Sequence, residues 1–238
     1  MTLAVRDPDL RELMDDPECD KDRLRRTLQR FGVVNRAVSC WDGVYRSQLR
    51  PFFAGLDRPA RVLDIGCGGG DVLRRLVRLA RQDGFVVEGV GIDPDLHAIA
   101  VAKAARPEPG VTYRREFSRT LVERGEDYDL VISNHLLHHL DTVELAGLLS
   151  DSEKLATGLS LHSDIARGRI AYGAFSMLAA PVAPGTFVWV DGLRSIRRSY
   201  TAGELTSLLP PGWSVEQPGR FRLLAVRRPV VSGSATRQ

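Results

Sequence analysis

The sequence predicts a doubly wound α/β domain, in which helices cover both faces of a mainly parallel sheet. Short β-rich runs alternate with helical patterns from about residue 60 onward, and right-handed βαβ crossovers then require parallel strands. A glycine-rich loop follows the first strand, and Asp93 ends the second. Sheets of this class bind nucleotide-type ligands at these positions.

The strands and helices follow one another in strict order. "ARVLDI" is a strand, and the next segment carries an apolar stripe at helical spacing, formed by Val72, Leu73, Leu76, Val77 and Ala80. Then come strand "FVVEGVGID", helix "PDLHAIAVAKAA", strands "VTYRRE" and "YDLVIS", helix "VELAGLLSDSEKLA" and a fifth strand, "GLSLHS". The chain closes with a helix that begins at the capping box of Thr201 and Glu204, followed by strands "WSVEQ" and "FRLLAVRR".

Three segments flank or interrupt this main domain of residues 58–228. Residues 1–57 are predicted to form an N-terminal helical extension or lid, because a basic helical pattern is followed there by an aromatic-rich stretch. Residues 165–195 are too long for a simple connection and predict a cap over a substrate. Aromatic side chains in these segments either cover an apolar substrate or form the small core of a helical cap. Residues 229–238 are expected to be a flexible tail.

The composition excludes several classes of protein. Apolar residues make up 43% and charged residues 26% of the chain, which is typical of a globular protein. A net charge of +3, from 33 basic and 30 acidic side chains, does not favour a nucleic-acid partner. The three cysteines have no C-x-x-C spacing, and the sequence shows neither a signal peptide nor a long apolar run. These observations predict a cytoplasmic protein with no membrane segment. It is expected to be a monomer or a homodimer.

The glycine loop is bare enough for a ligand to approach the backbone closely. Gly66, Gly68 and Gly70 lack the Cβ atoms that would block it. A dinucleotide fold would place its third glycine at Asp71, and an acidic side chain there is a poor neighbour for a diphosphate. The loop therefore favours a cationic or neutral ligand group and disfavours a nicotinamide oxidoreductase, while Asp93 is placed to accept ribose hydroxyls.

Three motifs in order, "VLDIGCGGGD", "GIDPD" and "YDLVISNHLLHHL", resemble the class I S-adenosylmethionine (SAM) dependent methyltransferases over about residues 60–165. The resemblance implies a Rossmann-like sheet of seven strands, the last of them antiparallel. In the overall character of its sequence the chain is similar to actinobacterial methyltransferases of small molecules, which modify polyketide or quinone-type phenolic secondary metabolites.

The same resemblance implies which residues hold the cofactor. The glycine loop would wrap the methionine part of SAM, with Asp64 near the ammonium group, and Asp93 would hold the ribose. Glu116 or Ser118 would contact the adenine, and Asn134 would contact the cofactor or the substrate. The cofactor-binding residues expected are Asp64, Gly66, Cys67, Gly68, Gly70, Asp93, Pro94, Glu116, Ser118 and Asn134.

Three histidines follow the fourth strand, where the methyl group of the cofactor should point, and His162 and Asp164 end the fifth strand and could face the same pocket. A phenolic acceptor needs a group that removes its proton, and histidine titrates in a suitable range. The catalytic candidates are His135, His138, His162 and Asp164. His138 and His139 could instead cap and pack the following helix, which is the favoured interpretation for His139. A cluster of His and Asp could also hold a metal ion, but the spacing lacks a helical His-x-x-x-His pair, so transfer without a metal is expected.

These observations predict a methyltransferase that moves the methyl group of SAM to the oxygen of a small phenolic or polyketide-derived acceptor. Carbon methylation and a non-catalytic SAM-binding protein are the alternatives. Arg194, Arg197 and Arg198 form a basic run. It either recognises an acidic group of the substrate or is a solvated face.

Overall fold

Seven strands form one sheet in the described part of the chain. The structure is a computed structural model that describes residues 3–16 and 18–228, the side chains of 31–38 and 182 excepted. The strands are β1 Ala60–Ile65, β2 Val87–Ile92, β3 Val111–Arg114, β4 Tyr128–Asn134, β5 Ala156–Ile165, β6 Trp213–Gly219 and β7 Arg222–Arg227. Their order across the sheet is β3-β2-β1-β4-β5-β7-β6. Strands β1 to β5 pair in parallel, whereas β7 is antiparallel to β5 and β6, which confirms the predicted fold class.

Ten α-helices accompany these strands within the described residues. They are α1 Lys21–Val38, α2 Trp41–Val44, α3 Arg50–Ala54, α4 Asp71–Gln82, α5 Leu96–Ala104, α6 Ser118–Glu123, α7 Thr142–Leu155, α8 Arg169–Leu178, α9 Val188–Arg198 and α10 Ala202–Leu208. A π-helical turn, Tyr45–Leu49, joins α2 to α3, and short 3-10 helices span Leu13–Asp15, Leu137–His139 and Ala180–Val182. The predicted capping box of Thr201 and Glu204 opens α10.

Helices pack on both faces of the central sheet, and neighbouring residues of each strand point to opposite faces. Val62 and Leu130 pack with α4 on one face. Leu63 and Val131 pack with α7 and α10 on the other. The stripe predicted for α4 is buried as expected, and β4 is buried along nearly its whole length. This two-sided core explains why the strands read as nearly continuous apolar runs.

The segment predicted as an N-terminal extension divides into two parts with different environments. Trp41, Tyr45, Leu49 and Phe53 are buried in the same core as α4 and the sheet. Leu24 and Leu28 of α1 instead pack on Phe187, which immediately precedes α9. Residues 41–54 therefore belong to the core of the domain, whereas α1 packs in a separate small cluster beside the start of α9.

Other predictions concern the ends of the chain and its cysteines. The predicted flexible tail, 229–238, lies outside the described residues. No disulfide bond joins Cys19, Cys40 and Cys67 in the described residues. No helix in 3–16 or 18–228 combines the length and the apolar character needed to cross a bilayer.

Candidate active site

A cavity of about 950 Å3 opens at the carboxyl ends of the central strands. β1 lies between β2 and β4, so the strand order reverses there, and doubly wound sheets bind their ligands at such a reversal. The glycine loop, Asp93 and Asn134 line the cavity from the sheet. Residues of the N-terminal segment, α8 and α9 complete its wall.

The glycine loop turns β1 into α4 through three left-handed residues. Gly66, Gly68 and Gly70 have φ angles of 67°, 52° and 70°, which residues with a side chain rarely adopt. The backbone N–H groups of Gly66 and Cys67 both donate to the carbonyl oxygen of Ile92, which ties the loop to the end of β2. Gly66, Cys67 and Gly68 line the cavity, and a Cβ on Gly68 would meet no atom within 4 Å. The backbone there is open to a ligand.

Asp64 is a buried carboxyl group in the wall of the cavity, with one oxygen unsatisfied. Its side chain is 2% exposed, and Oδ1 has no hydrogen-bond partner. Burial raises the pKa of Asp64 well above its usual value, and the charges of Asp71 and Asp93 raise it further. A cationic group in the cavity would compensate this buried acid. The site therefore fits the ammonium group that SAM carries.

Asp93 connects the end of β2 to the glycine loop. Its Oδ2 accepts the N–H of Gly68 at 3.0 Å and its Oδ1 accepts the N–H of Asp95 at 2.9 Å. Burial raises the pKa of Asp93 above its usual value, although these two hydrogen bonds act in the opposite direction. The carboxylate oxygens have further lone pairs, and Pro94 and Asp95 continue the wall of the cavity. The carboxylate of Asp93 can therefore accept hydrogen bonds from the hydroxyl groups of a ribose.

Glu116 and Ser118, the predicted adenine contacts, are not among the residues that line the cavity. Glu116 pairs with Arg124 at 2.9 Å, and the hydroxyl of Ser118 donates to Asp151 at 2.8 Å. Ser118 opens α6, and its hydroxyl bonds a residue of α7. His97 and Ala98 of α5 lie in the wall instead.

Asn134 ends β4 at the cavity, His135 follows it, and both bond the same buried arginine. Arg222, only 1% exposed, donates from Nη1 to Nε2 of His135 at 2.9 Å and from Nη2 to Oδ1 of Asn134 at 2.8 Å. His135 is therefore neutral, and burial, followed by the charge of Arg222, holds its pKa well below the usual value. Burial also lowers the pKa of Arg222, to about 10. Sequence reasoning missed Arg222 because it resembles any polar residue at the start of a strand.

His138, which follows β4, and Asp164, near the end of β5, form a buried pair. Nδ1 of His138 lies 2.7 Å from Oδ1 of Asp164, and the backbone N–H of His138 donates to Oδ2 at 2.8 Å. Burial alone would lower the pKa of His138, but Asp164 and then Glu12 outweigh it and raise this pKa to about 9. His138 lines the cavity, so the pair sets the orientation of one imidazole there.

Glu12, which the sequence did not single out, completes a cluster with two histidines. Its Oε1 lies 3.3 Å from Nε2 of His138 and 3.7 Å from Nε2 of His139, and it accepts the hydroxyl of Ser195 at 2.7 Å. The three ligand atoms lie within 4.8 Å of one another. We call Glu12, His138 and His139 the Glu12 cluster. No local pattern could reveal it, because Glu12 precedes the βαβ repeat and reaches the histidines only through tertiary packing.

His162 does not line the cavity, although it lies on the same strand face as Asp164. Two residues of a strand correspond to about 6.6 Å, so His162 lies deeper in the sheet than Asp164. Its Nδ1 is bonded to the hydroxyl of Ser133 at 2.8 Å and its ring stacks on Trp213. Burial lowers the pKa of His162 to about 3. These contacts are those of a neutral core side chain.

The remaining wall of the cavity is largely apolar. It includes Leu24 and Leu28 of α1, Phe175 and Leu178 of α8, and Val188 and Ile196 of α9. Of the aromatic residues predicted to cover a substrate, Phe175 is the one in this wall, whereas Trp41, Tyr45 and Phe53 are in the core. The cavity thus offers an apolar body and a polar cluster to an acceptor.

The basic run of α9 holds the N-terminal segment in place. Arg197 donates to the carboxylate of Asp7 at 2.6 Å, Arg194 to the carbonyl oxygen of Arg11 at 2.7 Å and Arg198 to Asp15 at 3.3 Å. Neither predicted role, recognition of an acidic substrate or a solvated face, describes these contacts. They keep Glu12 at the cavity.

Comparison with known proteins identifies the family. The methyltransferase domain family matches residues 41–198. The ubiquinone biosynthesis O-methyltransferase of Azorhizobium caulinodans is 36% identical over 118 residues, which are 49% of this chain and 42% of that protein. The chain thus spans less than half the length of this curated relative.

Two solved structures share the fold at low sequence identity. Human N-acetylserotonin methyltransferase in complex with SAM has a TM-score of 0.59 at 14% identity, covering 86% of this chain and 55% of that one. The plantazolicin methyltransferase BpumL, in complex with a triazolic desmethylPZN analog and S-adenosylhomocysteine (SAH), has a TM-score of 0.54 at 12% identity, covering 88% and 98%. The protein therefore belongs to the methyltransferase domain family, and it shares its fold with methyltransferases that were crystallised with SAM or SAH.

Proposed function

We propose that this protein transfers the methyl group of SAM to an oxygen atom of a small acceptor with an apolar, phenolic body. One observation carries the proposal: a single cavity contains the groups that fit SAM and, in the same wall, the Glu12 cluster among apolar side chains. A shared cavity lets the acceptor oxygen approach the sulfonium methyl group in line, which is what methyl transfer requires.

Transfer to oxygen is favoured by the polar groups of the wall. A phenol must lose its proton as the new bond forms, and Glu12 and His138 are placed to receive it. The name of the Azorhizobium relative, an O-methyltransferase, supports the same choice. An electron-rich phenol carbon could attack the same methyl group, so carbon methylation is the alternative.

Among the predicted histidine bases, the geometry favours His138. Nε2 of His135 already accepts a hydrogen bond from Arg222, which occupies its lone pair. His138 is oriented through Nδ1 by Asp164, and its Nε2 lies 3.3 Å from Oε1 of Glu12. The pKa of His138 is raised to about 9, so His138 acts as a base in the fraction of molecules that have lost this proton. Asp164 thus serves as a positioning residue, as the acid of a His–Asp pair does in other enzymes.

The proposal is tested by calorimetric binding of SAM and SAH, followed by transfer of a tritiated methyl group to a panel of phenols and catechols. We expect micromolar binding of both ligands, lost in Asp93→Ala and kept in the control Asp127→Ala, an exposed side chain that precedes β4. NMR of the product distinguishes an O-methyl from a C-methyl group. Failure to bind SAM would overturn the proposal, and binding without transfer to any acceptor would favour the non-catalytic alternative.

A further inference from the structure

We propose that the Glu12 cluster is a binding site for one divalent transition-metal ion of the Zn²⁺ class, facing the cavity that holds SAM and the acceptor. The sequence predicted no metal site, because its strand-end residues lacked a ligand spacing. The third ligand, Glu12, comes from the N-terminal segment, so the site exists only in the folded chain.

The separations between the ligand atoms match those around a small metal ion. Zn²⁺ binds imidazole nitrogen and carboxylate oxygen at about 2.0–2.2 Å, so two ligands of a tetrahedral site are about 3.3–3.5 Å apart. Oε1 of Glu12 lies 3.3 Å from Nε2 of His138 and 3.7 Å from Nε2 of His139. All three atoms lie within 4.8 Å of one another. Coordination requires the remaining separation, between the two imidazole nitrogens, to be about 3.3–3.5 Å as well.

An unsatisfied nitrogen points to a missing ligand. His138 is 1% exposed, and its Nε2 makes no hydrogen bond, although it lies 3.3 Å from the carboxylate oxygen Oε1 of Glu12. A buried polar atom without a partner is costly, and native proteins rarely leave one unsatisfied. A metal ion bound between Nε2 and Oε1 would remove this cost.

Each ligand also has the outer partner that metal ligands usually have. His138 is bonded through Nδ1 to Asp164 at 2.7 Å, and Nδ1 of His139 lies 3.5 Å from Asp15. Glu12 accepts the hydroxyl of Ser195 at 2.7 Å. Such partners fix the tautomer and direction of metal-binding imidazoles. A histidine that only packs against a helix does not need a carboxylate beside its second ring nitrogen.

Two histidines and one carboxylate leave coordination positions open, as in catalytic metal sites. Imidazole ligands favour Zn²⁺, Co²⁺, Ni²⁺ or Fe²⁺ over Mg²⁺ and Ca²⁺, which prefer oxygen ligands. The site borders the cavity, so the natural occupant of an open position is the acceptor oxygen. This role rests on the proposed function, whereas the metal site itself does not.

With a metal bound, His138 is a ligand and the metal takes over activation of the acceptor. A phenol that coordinates the ion loses its proton to solvent more readily, because the cation stabilises the phenolate. The phenolate oxygen then forms the bond to the methyl carbon. The carbon–sulfur bond breaks with its electron pair on sulfur, which leaves SAH and the O-methyl product.

The experiment measures metal binding without SAM or acceptor. The chelator-treated protein is titrated with Co²⁺, followed by visible absorption, and then with Zn²⁺ in competition with an indicator. We expect one equivalent of each ion at a shared site. Affinity should fall about 100-fold or more in Glu12→Gln and His139→Ala, since outer-sphere losses alone cost about 10–100-fold. His97→Ala, an exposed histidine in the same wall, should keep the affinity.

Glu12→Gln keeps an acceptor for Ser195, and circular dichroism checks that both variants remain folded. The proposal is overturned if the wild type binds no stoichiometric ion, or if its affinity equals that of both variants. Metal binding without methyl transfer would overturn the proposed function and leave the metal site standing. Methyl transfer by a protein that binds no metal would overturn the metal site and leave the proposed function standing.

Discussion

Arg222 donates a hydrogen bond from Nη1 to Nε2 of His135 over 2.9 Å, inside the sheet and away from solvent. Its other terminal nitrogen bonds both Asn134 and Ser163, so one side chain connects the ends of β4, β5 and β7. His135 has a φ of 58°, in the left-handed region, which costs a residue with a side chain about 1–2 kcal/mol. The arginine therefore stabilises a strained turn at the cavity.

Arg222→Met should destabilise the protein by about 2–4 kcal/mol, because it leaves His135, Asn134 and Ser163 without their shared donor. Urea unfolding measures the loss. Arg228→Met, an exposed residue that bonds Glu216 and Gln48, is the matched control and should change stability little. Equal effects of the two substitutions would contradict the role assigned to Arg222.

Binding of SAM should release a proton from Asp64. Because burial raises its pKa, Asp64 holds a proton at acidic pH, and an ammonium group beside it favours the carboxylate. The bound state thus has the lower pKa, so SAM affinity should rise with pH until Asp64 is ionised in the free protein, by up to about tenfold per pH unit.

Calorimetry in buffers of different ionisation enthalpy counts the protons released, between about pH 5 and 7, where the ligand's amino group stays charged. Asp64→Asn should bind SAM more weakly and release fewer protons, while Asp95→Asn, which caps α5, should release as many as the wild type. An unchanged proton count in Asp64→Asn would show that another group carries the linkage.

Asp191 should make the protein less stable as the pH rises from about 4 to 6. The carboxylate accepts the N–H groups of Leu13 and Met14, and burial raises its pKa to about 6. The unfolded chain loses this proton near pH 4, so in this window only the folded protein holds it. The free energy of unfolding therefore falls by on the order of 2–3 kcal/mol as the pH rises through the window.

Urea unfolding at several pH values tests this by comparing the wild type with Asp191→Asn. The amide does not titrate, so its curve should lack the decline, although its absolute stability differs through the altered hydrogen bonds. The comparison therefore uses the slope of the free energy of unfolding against pH. Parallel curves for the wild type and Asp191→Asn would mean that the pKa of Asp191 is the same in the folded and the unfolded protein.

Local patterns were sufficient to predict the strands and the helices α4, α5, α7 and α10, whereas α6 was not predicted and the antiparallel last strand was implied only by the resemblance. The short apolar runs of the strands, the apolar stripe of α4 and the capping box of α10 are each visible within a few residues of sequence. The aromatic stretch at 41–53 was harder, because a helix that covers a core and a helix that covers a substrate have the same amphipathic pattern. Here Trp41 and Phe53 belong to the core.

The site could be predicted only where strand ends determine it. The carboxyl ends of parallel strands meet at one edge, which is why His138 and Asp164 come together across β4 and β5. Glu12 and Arg222 depend on how separate segments pack, and a single sequence carries no signal for such contacts. The basic run of α9 shows the same limit, since its partners are in the N-terminal segment.

Two glycines of the loop should respond differently to the same substitution. Gly68→Ala and Gly70→Ala both place a side chain in the left-handed region, at a cost of about 1–2 kcal/mol. At Gly70 the new methyl group would also overlap the ring and hydroxyl of Tyr113, which bonds Arg74. Overpacking adds about 1–3 kcal/mol, so Gly70→Ala should be the less stable variant.

At Gly68 the methyl group meets no protein atom and lies on the loop that lines the cavity. Its main effect should therefore be on the ligand, with SAM affinity reduced about tenfold or more for a stability loss of about 1–2 kcal/mol. Urea unfolding and calorimetry on the same samples separate the two effects. If Gly68→Ala binds SAM as tightly as the wild type, the cofactor does not approach this part of the backbone, and the loop's open conformation needs another explanation.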